Sequence, residues 1–178
     1  MKLKTRVILI PLILFVSVIS DQLTKKIAQA FLAGHEKISF FHNVFVLQYT
    51  ENTGGFLGMG AAIPESIRFW VFSVVVALFL VLLLVYLVFS KAFTFGQVFA
   101  LSAVIGGGTG NLIDRLLNDG RVVDFMNAGI GPLRTGVFNV ADMLITFGSI
   151  LLFILLLVKG RKNNEKKPES TVKPGSGE

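Results

Sequence analysis

The sequence predicts an all-α membrane protein with four transmembrane helices and a small extracytoplasmic β-rich cradle between the first and second. The mean hydropathy is +0.71, and 53% of the 178 residues are hydrophobic while only 16% are charged, which is atypical of soluble domains. The segment 69–89 contains no charged residue and is long enough to cross a bilayer. Lys and Arg concentrate in the two tails, a pattern that membrane topology explains.

The predicted spans are 7–23, 69–89, 92–113 and 137–158. The first is the least regular, because Pro11 weakens one helical turn and Asp21 interrupts the apolar run. The same N-terminus also fits a cleaved secretory signal peptide. Basic residues place both tails in the cytoplasm, which requires an even number of spans and favours retention of the first. The extracytoplasmic loops are then 24–68 and 114–136, and 159–178 is predicted to be a disordered cytoplasmic tail.

Composition excludes several classes of function. Cysteine is absent, which excludes a disulfide framework, a thiolate nucleophile and a Cys-bearing metal site. His35 and His42 lack ligand spacing and are predicted to be loop residues. We therefore expect neither a metal nor a cofactor. The net charge of +6 would suggest nucleic acid in a soluble protein, but its concentration in the tails indicates membrane topology, so we expect no nucleic-acid partner.

The first extracytoplasmic loop carries the predicted cradle. Residues 38–49 are rich in Phe, Val and Ile, and a glycine-rich stretch, 53–60, follows them. This pattern predicts a small sheet or hairpin. Its aromatic side chains, Phe40 and Phe41 among them, would suit the membrane interface, although packing within the cradle is the simpler role.

Polar clusters lie at the outer ends of the predicted spans. The first span ends at 21–25, the third at 111–115, and the fourth begins at 138–142. The loop residues 51–54 can reach the same membrane face. The predicted topology therefore brings separate polar segments together at a one-sided site.

Asp142 is the most informative residue, because it lies within an otherwise apolar span. A charge at the centre of a span costs about 2.5 to 3.5 kcal/mol. Asp142 lies only about 6 Å along the helix from Phe138, where the helix dipole favours a carboxylate. The alternative is an aspartate that caps the helix or packs between helices.

Asp124 gains its significance from Asp142. A loop aspartate flanked by apolar residues is usually a turn or cap residue. If residues 122–125 fold back on the bundle, however, the two carboxylates can face each other. Two carboxylates in a partly dry site do not readily both ionise, so one retains a proton while the other acts as a base. Water-mediated peptide hydrolysis requires this asymmetry.

The neighbouring polar residues have structural alternatives. Asn139 shares a helix face with Asp142 and is predicted to hydrogen-bond the dyad or to cap the helix. Asp114 and Arg115 are predicted to form a structural ion pair that ties the third span to the next loop, rather than to act in catalysis. Asp21 and Lys25, at i and i+4, form either a helix pair or a contact to substrate or lipid headgroups.

Glycines in the third span predict close helix packing. Gly106 and Gly110 have the spacing that lets helices approach closely, and room for a substrate backbone is the alternative. The stretch is not a phosphate loop, because it lacks the motif lysine and no strand precedes it.

Taken together, these segments resemble the lipoprotein signal peptidases, also called signal peptidase II. The motifs that carry the resemblance, in order, are DQLTK, NTGG, GGGTGNLIDR with VVDF, and FNVAD. The resemblance covers about 7–158 and implies a bacterial cytoplasmic-membrane aspartyl endopeptidase. Such an enzyme removes the signal peptide from diacylglyceryl-modified prolipoproteins by cutting just before the lipidated cysteine. The implied partners are these prolipoproteins and membrane lipids, and we expect a monomer.

The resemblance also implies roles for individual residues. Asp124 and Asp142 correspond to the catalytic pair, and Asp114 to a structural residue. The residues implied to bind substrate or support the site are Asn52, Gly54, Asn111, Arg115, Asn139, Asp21 and Lys25. Asp21 and Lys25 either stabilise the site or face lipid. A transporter or proton relay and a non-catalytic assembly factor are the competing functions, but acids that collect at one membrane face favour a one-sided site.

Overall fold

The computed structural model describes residues 2–53 and 63–165. The helices are α1 (Leu3–Leu32), α2 (Glu65–Phe69), a π-helical segment (Trp70–Val75), α3 (Val76–Phe89), α4 (Phe95–Leu117) and α5 (Val140–Glu165). The strands are β1 (Ile38–Phe40), β2 (Phe45–Asn52), β3 (Val122–Ile130) and β4 (Leu133–Arg134). The protein is thus mostly helical, with a small antiparallel sheet.

Within the described ranges, three helices are long and apolar enough to cross a bilayer: Leu3–Leu32, Ile67–Phe89 and Val140–Gly160. Helix α4 has sufficient length, 23 residues, but it contains more glycine and polar residues. It contacts α1, α3 and α5, so much of its surface faces protein rather than lipid. A helix in this position does not need a uniformly apolar surface, and its role as the fourth span remains a proposal.

Two helices run further than the hydropathy predicts. Helix α1 passes through Pro11 and continues to Leu32, because Ala28 and Leu32 pack against Phe125 of the sheet. Helix α5 continues to Glu165, so 159–165 is helical rather than disordered. Hydropathy marks where a helix stops being apolar, not where it stops being helical. The rest of the predicted tail lies outside the described residues.

The glycines of α4 let α1 and α5 approach this helix closely. A Cβ atom at Gly106 would lie 2.5 Å from Cβ of Ser17, and one at Gly110 would lie 2.5 Å from Oδ2 of Asp21. On another face of the helix, a Cβ atom at Gly107 would lie 2.5 Å from the carbonyl oxygen of Ala141. Only glycine permits these approaches. The prediction of close packing is confirmed, and the packing joins the middle of α1 to α4 and α4 to the N-terminal end of α5.

The sheet corrects the predicted location of the cradle. Its strand order is β1-β2-β3-β4, and β3 and β4 come from the loop between the third and fourth predicted spans. Strand β3 pairs antiparallel with β2, with Thr50 opposite Asp124. Val122, Val123 and Phe125 are buried, and β-branched and aromatic residues of this kind favour a strand. The sheet therefore joins the two loops and is not confined to the first.

Arg6 has a structural role that the sequence does not reveal. Its guanidinium is buried and donates to the carbonyl oxygens of Leu87 (3.3 Å), Ser90 and Phe93 (3.1 Å). These carbonyls lie at and beyond the C-terminus of α3, where a cation interacts favourably with the helix dipole. In the sequence, Arg6 is only one of the basic residues that indicate topology. In the structure, it joins α1 to the turn between α3 and α4.

Candidate active site

Asp142 lies in the first turn of α5, in a reciprocal cap with Asn139. The N–H of Asp142 donates to Oδ1 of Asn139 (2.9 Å), and the N–H of Asn139 donates to Oδ2 of Asp142 (3.1 Å). This is the pattern of a capping box, with aspartate at the position usually held by Glu or Gln. The capping interpretation is therefore confirmed. It does not exclude a catalytic role, because Oδ1 of Asp142 separately accepts from Nδ2 of Asn111 (2.9 Å).

Asp124 lies within strand β3 and is 1% exposed. The alternative of a turn or cap residue is therefore wrong. Its Oδ2 accepts from Nδ2 of Asn52 (2.9 Å), and its Oδ1 accepts from Nδ2 of Asn139 (2.6 Å). Burial raises the pKa of the Asp124 carboxyl to about 7; the hydrogen bond from Asn52 opposes this rise, and the charge of Asp142 adds to it.

Asn139 connects the two aspartates. Its amide nitrogen donates to Asp124, while its amide oxygen accepts from the backbone of Asp142. Asn139 is fully buried, and the same amide nitrogen lies 3.0 Å from Oδ1 of Asn111. The folding-back of residues 122–125 that the sequence suggests is confirmed, because it places Asp124 against the N-terminus of α5.

Asn111 extends this network to α1. Its Oδ1 accepts from Nζ of Lys25 (2.9 Å), and its Nδ2 donates to Asp142. Asn111 and Lys25 are both buried. The resemblance placed Asn111 at the substrate site; in this structure its amide nitrogen donates to Asp142, and its amide oxygen accepts from Lys25 and Asn139.

The ion pairs partly differ from the predicted ones. Lys25 lies 2.7 Å from Asp21, as the i, i+4 spacing predicts, and 3.0 Å from Asp114. The predicted pair between Asp114 and Arg115 is wrong, because Asp114 is on the face of α4 that meets α1. Asp114 still ties α4 to the following loop, since its Oδ2 accepts from the N–H of Val123 (3.0 Å). Asp21 is 0% and Lys25 3% exposed, so neither faces lipid.

Arg115 lies beside the site on a different face of α4. Its Nη1 donates to the carbonyl oxygen of Asn111 (3.3 Å), and its guanidinium lies 5.6 Å from the ring centroid of Phe72. Phe72 belongs to the π-helical segment, a type of irregularity that is frequent at functional sites. Among the described residues, the buried Nε of Arg115 has no hydrogen-bond partner.

Comparison with known proteins decides the family. The family model for Signal peptidase (SPase) II matches residues 13–158. The chain belongs to the signal peptidase II family. The lipoprotein signal peptidase of Caldicellulosiruptor bescii is 34% identical over 159 residues, covering 88% of this chain and 97% of that protein. That of Symbiobacterium thermophilum is 38% identical over 147 residues, covering 83% and 93%.

Solved structures agree with this assignment. A bacterial membrane enzyme determined by the in meso method at 2.3 Å superposes with a TM-score of 0.72 and 28% sequence identity, covering 92% of this chain and 94% of that one. This member of the signal peptidase II family is thus a multi-pass membrane protein and an aspartic-type enzyme that cleaves signal peptides from prolipoproteins. The transporter and assembly-factor alternatives are set aside.

Two residues of the candidate site, Gln22 and Phe72, were not predicted from the sequence. Gln22 donates from Nε2 to Oδ1 of Asp114 (2.8 Å) and to the carbonyl oxygen of Gly110 (3.1 Å). Its place beside Asp21 in the DQLTK motif could have indicated this role. No sequence signal marks Phe72 as the partner of Arg115. Gly54, which the resemblance assigned to the site, lies outside the described residues.

The described residues contain no cluster of His, Cys, Asp or Glu side chains that could hold a metal ion. His35 and His42 lie in the loop and turn that flank β1. The acids of the site are instead held by amides, peptide N–H groups and Lys25. The absence of a metal and of a cofactor stays a prediction.

Proposed function

We propose that this protein is an intramembrane aspartyl endopeptidase that uses Asp124 and Asp142 to activate water. Its substrates are diacylglyceryl-modified bacterial prolipoproteins, and it cuts the peptide bond immediately before the lipidated cysteine. The observation that carries the proposal is that one buried side chain, Asn139, contacts both aspartates. Its amide nitrogen donates to Asp124, and its amide oxygen accepts from the backbone N–H of Asp142. Asp21 and Asp114 are the other acids of the described site, but their oxygens are already held. Those of Asp21 accept from Lys25 and the N–H of Ala141, and those of Asp114 accept from Lys25, Gln22 and the N–H of Val123.

The surroundings of the two aspartates favour different protonation states. Asp124 is almost fully buried, and with a pKa of about 7 it retains a proton over much of the neutral range. Asp142 is half-buried and lies in the first turn of α5, where the helix dipole favours a negative charge. We therefore assign Asp124 as the general acid and Asp142 as the general base.

These assignments give a balanced hydrolysis. Asp142 takes a proton from water while the water oxygen bonds to the scissile carbonyl carbon, and Asp124 gives its proton to the carbonyl oxygen. The tetrahedral intermediate then collapses. The C–N bond breaks, Asp142 gives its proton to the departing amine, and Asp124 recovers its proton from the hydroxyl. The products are a free carboxyl on the signal peptide and a free amine on the lipidated cysteine.

Substrate contacts are proposed for the donors that surround the dyad. Arg115 has a buried Nε without a partner among the described residues, and an oxygen of the bound peptide would satisfy it. Asn52 lies against Asp124 at the end of β2, where it can contact a substrate that approaches the acid. Gly54 is proposed as a loop contact on the resemblance alone.

We further propose that α4 is the fourth span and that both termini are cytoplasmic in the bacterial inner membrane. The terminal cations support this topology, because Arg6 binds the carbonyl of Ser90 and Lys159 lies 3.3 Å from that of Ala92. The dyad is at the opposite ends of the helices. We expect an impermeant thiol reagent to label Asp119→Cys from outside spheroplasts; labelling only from the cytoplasm would contradict the topology.

Cleavage of a purified substrate tests the function. The protein is incubated with a diacylglyceryl prolipoprotein, and mass spectrometry identifies the product's new N-terminus. The controls are the same prolipoprotein before lipidation and a version in which serine replaces the cysteine that becomes lipidated. We expect cleavage of the lipidated form only, directly before the modified cysteine. Equal cleavage of the unlipidated form would refute the substrate proposal.

The pH dependence of cleavage tests the role of Asp124. Since Asp124 is the acid and its pKa is about 7, kcat should fall about tenfold per pH unit above that value. The hydrogen bond from Asn52 favours the ionised form of Asp124 and so lowers its pKa. We expect Asn52→Ala to move the alkaline limb of the kcat profile to higher pH. A limb that stays in place or moves to lower pH would contradict this assignment.

A further inference from the structure

Each proposed catalytic aspartate follows a residue whose backbone N–H is held by a buried carboxylate. Oδ1 of Asp21 accepts from the N–H of Ala141 (2.9 Å), the residue before Asp142. Oδ2 of Asp114 accepts from the N–H of Val123 (3.0 Å), the residue before Asp124. Each catalytic side chain therefore projects from a backbone that a charge-assisted hydrogen bond fixes, and such bonds are stronger than those between neutral groups.

Lys25 lies between these two carboxylates. Its Nζ is 2.7 Å from Asp21 and 3.0 Å from Asp114, and it donates to Oδ1 of Asn111 at 2.9 Å. An ammonium group has three N–H donors, so these three acceptors account for all of them. The side chain is 3% exposed, which leaves little freedom to exchange these partners for water.

The contact with Lys25 also fixes the orientation of the side-chain amide of Asn111. Because an ammonium group can only donate, Lys25 requires the oxygen of the Asn111 amide to face it. The nitrogen of that amide then points to Oδ1 of Asp142. Rotation of the amide by half a turn would place its oxygen against the Asp142 carboxylate and remove this hydrogen bond.

We infer that Lys25 is a positioning residue that sets the separation and orientation of the dyad through Asp21, Asp114 and Asn111. The inference rests on the proposed function, since it presupposes that Asp124 and Asp142 react. Asp21 connects Lys25 to α5, and Asp114 connects it to β3. The two catalytic aspartates lie on these separate elements, so one ammonium group on α1 joins the supports of both.

This role differs from simple stabilisation of the bundle. A merely structural lysine affects how much enzyme is folded, whereas the folded fraction keeps its normal kcat. A positioning lysine affects kcat itself, because a displacement of about 1 Å in a reacting group can cost roughly 100-fold in rate. KM should change little, because the three contacts of Lys25 do not include Asn52 or Arg115, the described donors that we propose to bind substrate.

The test compares Lys25→Met with Lys26→Met in the full-length enzyme. Lys26 is the adjacent residue on α1 and is exposed, so its substitution controls for the loss of one positive charge. Both variants are assayed with the diacylglyceryl prolipoprotein after gel filtration and thermal unfolding establish that they are folded. We expect Lys25→Met to lower kcat by roughly 10- to 100-fold with KM within about threefold, and Lys26→Met to match the wild type.

A double-mutant cycle identifies the route of the effect. If Lys25 acts partly through Asn111, then Lys25→Met should lower kcat less in an Asn111→Ala background than in the wild type. Equal fold-changes in the two backgrounds, or a folded Lys25→Met with normal kcat, would overturn the inference.

If Lys25→Met does not fold, Lys25→Arg takes its place. The planar guanidinium cannot direct single N–H groups to the same three acceptors, so kcat should again fall at constant KM. A normal kcat would again overturn the inference.

These outcomes separate the inference from the proposed function. If the wild-type enzyme does not cleave the prolipoprotein, or if Asp124→Asn cleaves it normally, the proposed function is wrong. If the wild type cleaves, Asp124→Asn does not, and Lys25→Met retains normal kcat, only the role of Lys25 is wrong.

Discussion

Asp124→Asn and Asp142→Asn are each expected to slow cleavage of a lipidated prolipoprotein by at least ~100-fold, the usual cost of losing a general acid or base. Asparagine has nearly the same shape as aspartate, so neither change creates a cavity. A carboxamide at position 124 could not exchange a proton with the scissile carbonyl oxygen, and a carboxamide at position 142 could not take one from water. Single-turnover rates with enzyme in excess measure the chemical step without the contribution of product release.

The matched control for both variants is Asp119→Asn. Asp119 lies on the same side of the molecule but is exposed, in the turn between α4 and β3. Its φ of 51° lies in a region that asparagine adopts readily. We expect Asp119→Asn to cleave at the wild-type rate. Normal cleavage by either dyad variant would show that the pair is wrongly assigned, and Asp114→Asn would then be the next variant to assay.

The sequence predicts the helices well where a single physical property determines them. The uninterrupted apolar run of 69–89 identifies one span by length alone, and the structure places a candidate span at Ile67–Phe89. The end of α1 could not be predicted in this way. Residues 24–32 are mixed in polarity, and they remain helical because Ala28 and Leu32 pack beneath the sheet. That tertiary contact is not visible in local hydropathy.

The sequence also predicts which residues of the site share a helix, but not which helix they contact. The spacing of Asn139 and Asp142 predicts a common face, and the structure shows them in a reciprocal cap. The partner of Asp114 could not be predicted, because adjacent residues in sequence favoured Arg115. Asp114 pairs instead with Lys25, which requires α1 to lie close to α4. Gly106 and Gly110 permit that close approach.

Asn139→Ser and Asn139→Ala are expected to separate the two roles that Asn139 combines. Serine is as good an N-cap as asparagine, whereas alanine loses about 0.5 to 2 kcal/mol of stability at such a position. Neither side chain supplies the amide N–H that Asn139 donates to Asp124 at 2.6 Å. We therefore expect both variants to lose at least ~100-fold in kcat, while the alanine variant unfolds at a lower temperature than the serine variant.

This comparison isolates the contact between Asn139 and the acid of the dyad. If the cap alone explained the importance of Asn139, the serine variant would retain both its unfolding temperature and its rate of prolipoprotein cleavage. If the serine variant is more stable than the alanine variant but does not cleave the prolipoprotein, then cleavage requires the amide nitrogen of Asn139. Since that nitrogen favours the ionised form of Asp124, the alkaline limb of any residual kcat profile should also move to higher pH. Thus the unfolding temperature measures the cap hydrogen bond of Asn139, whereas the rate and the pH profile both measure its hydrogen bond to Asp124.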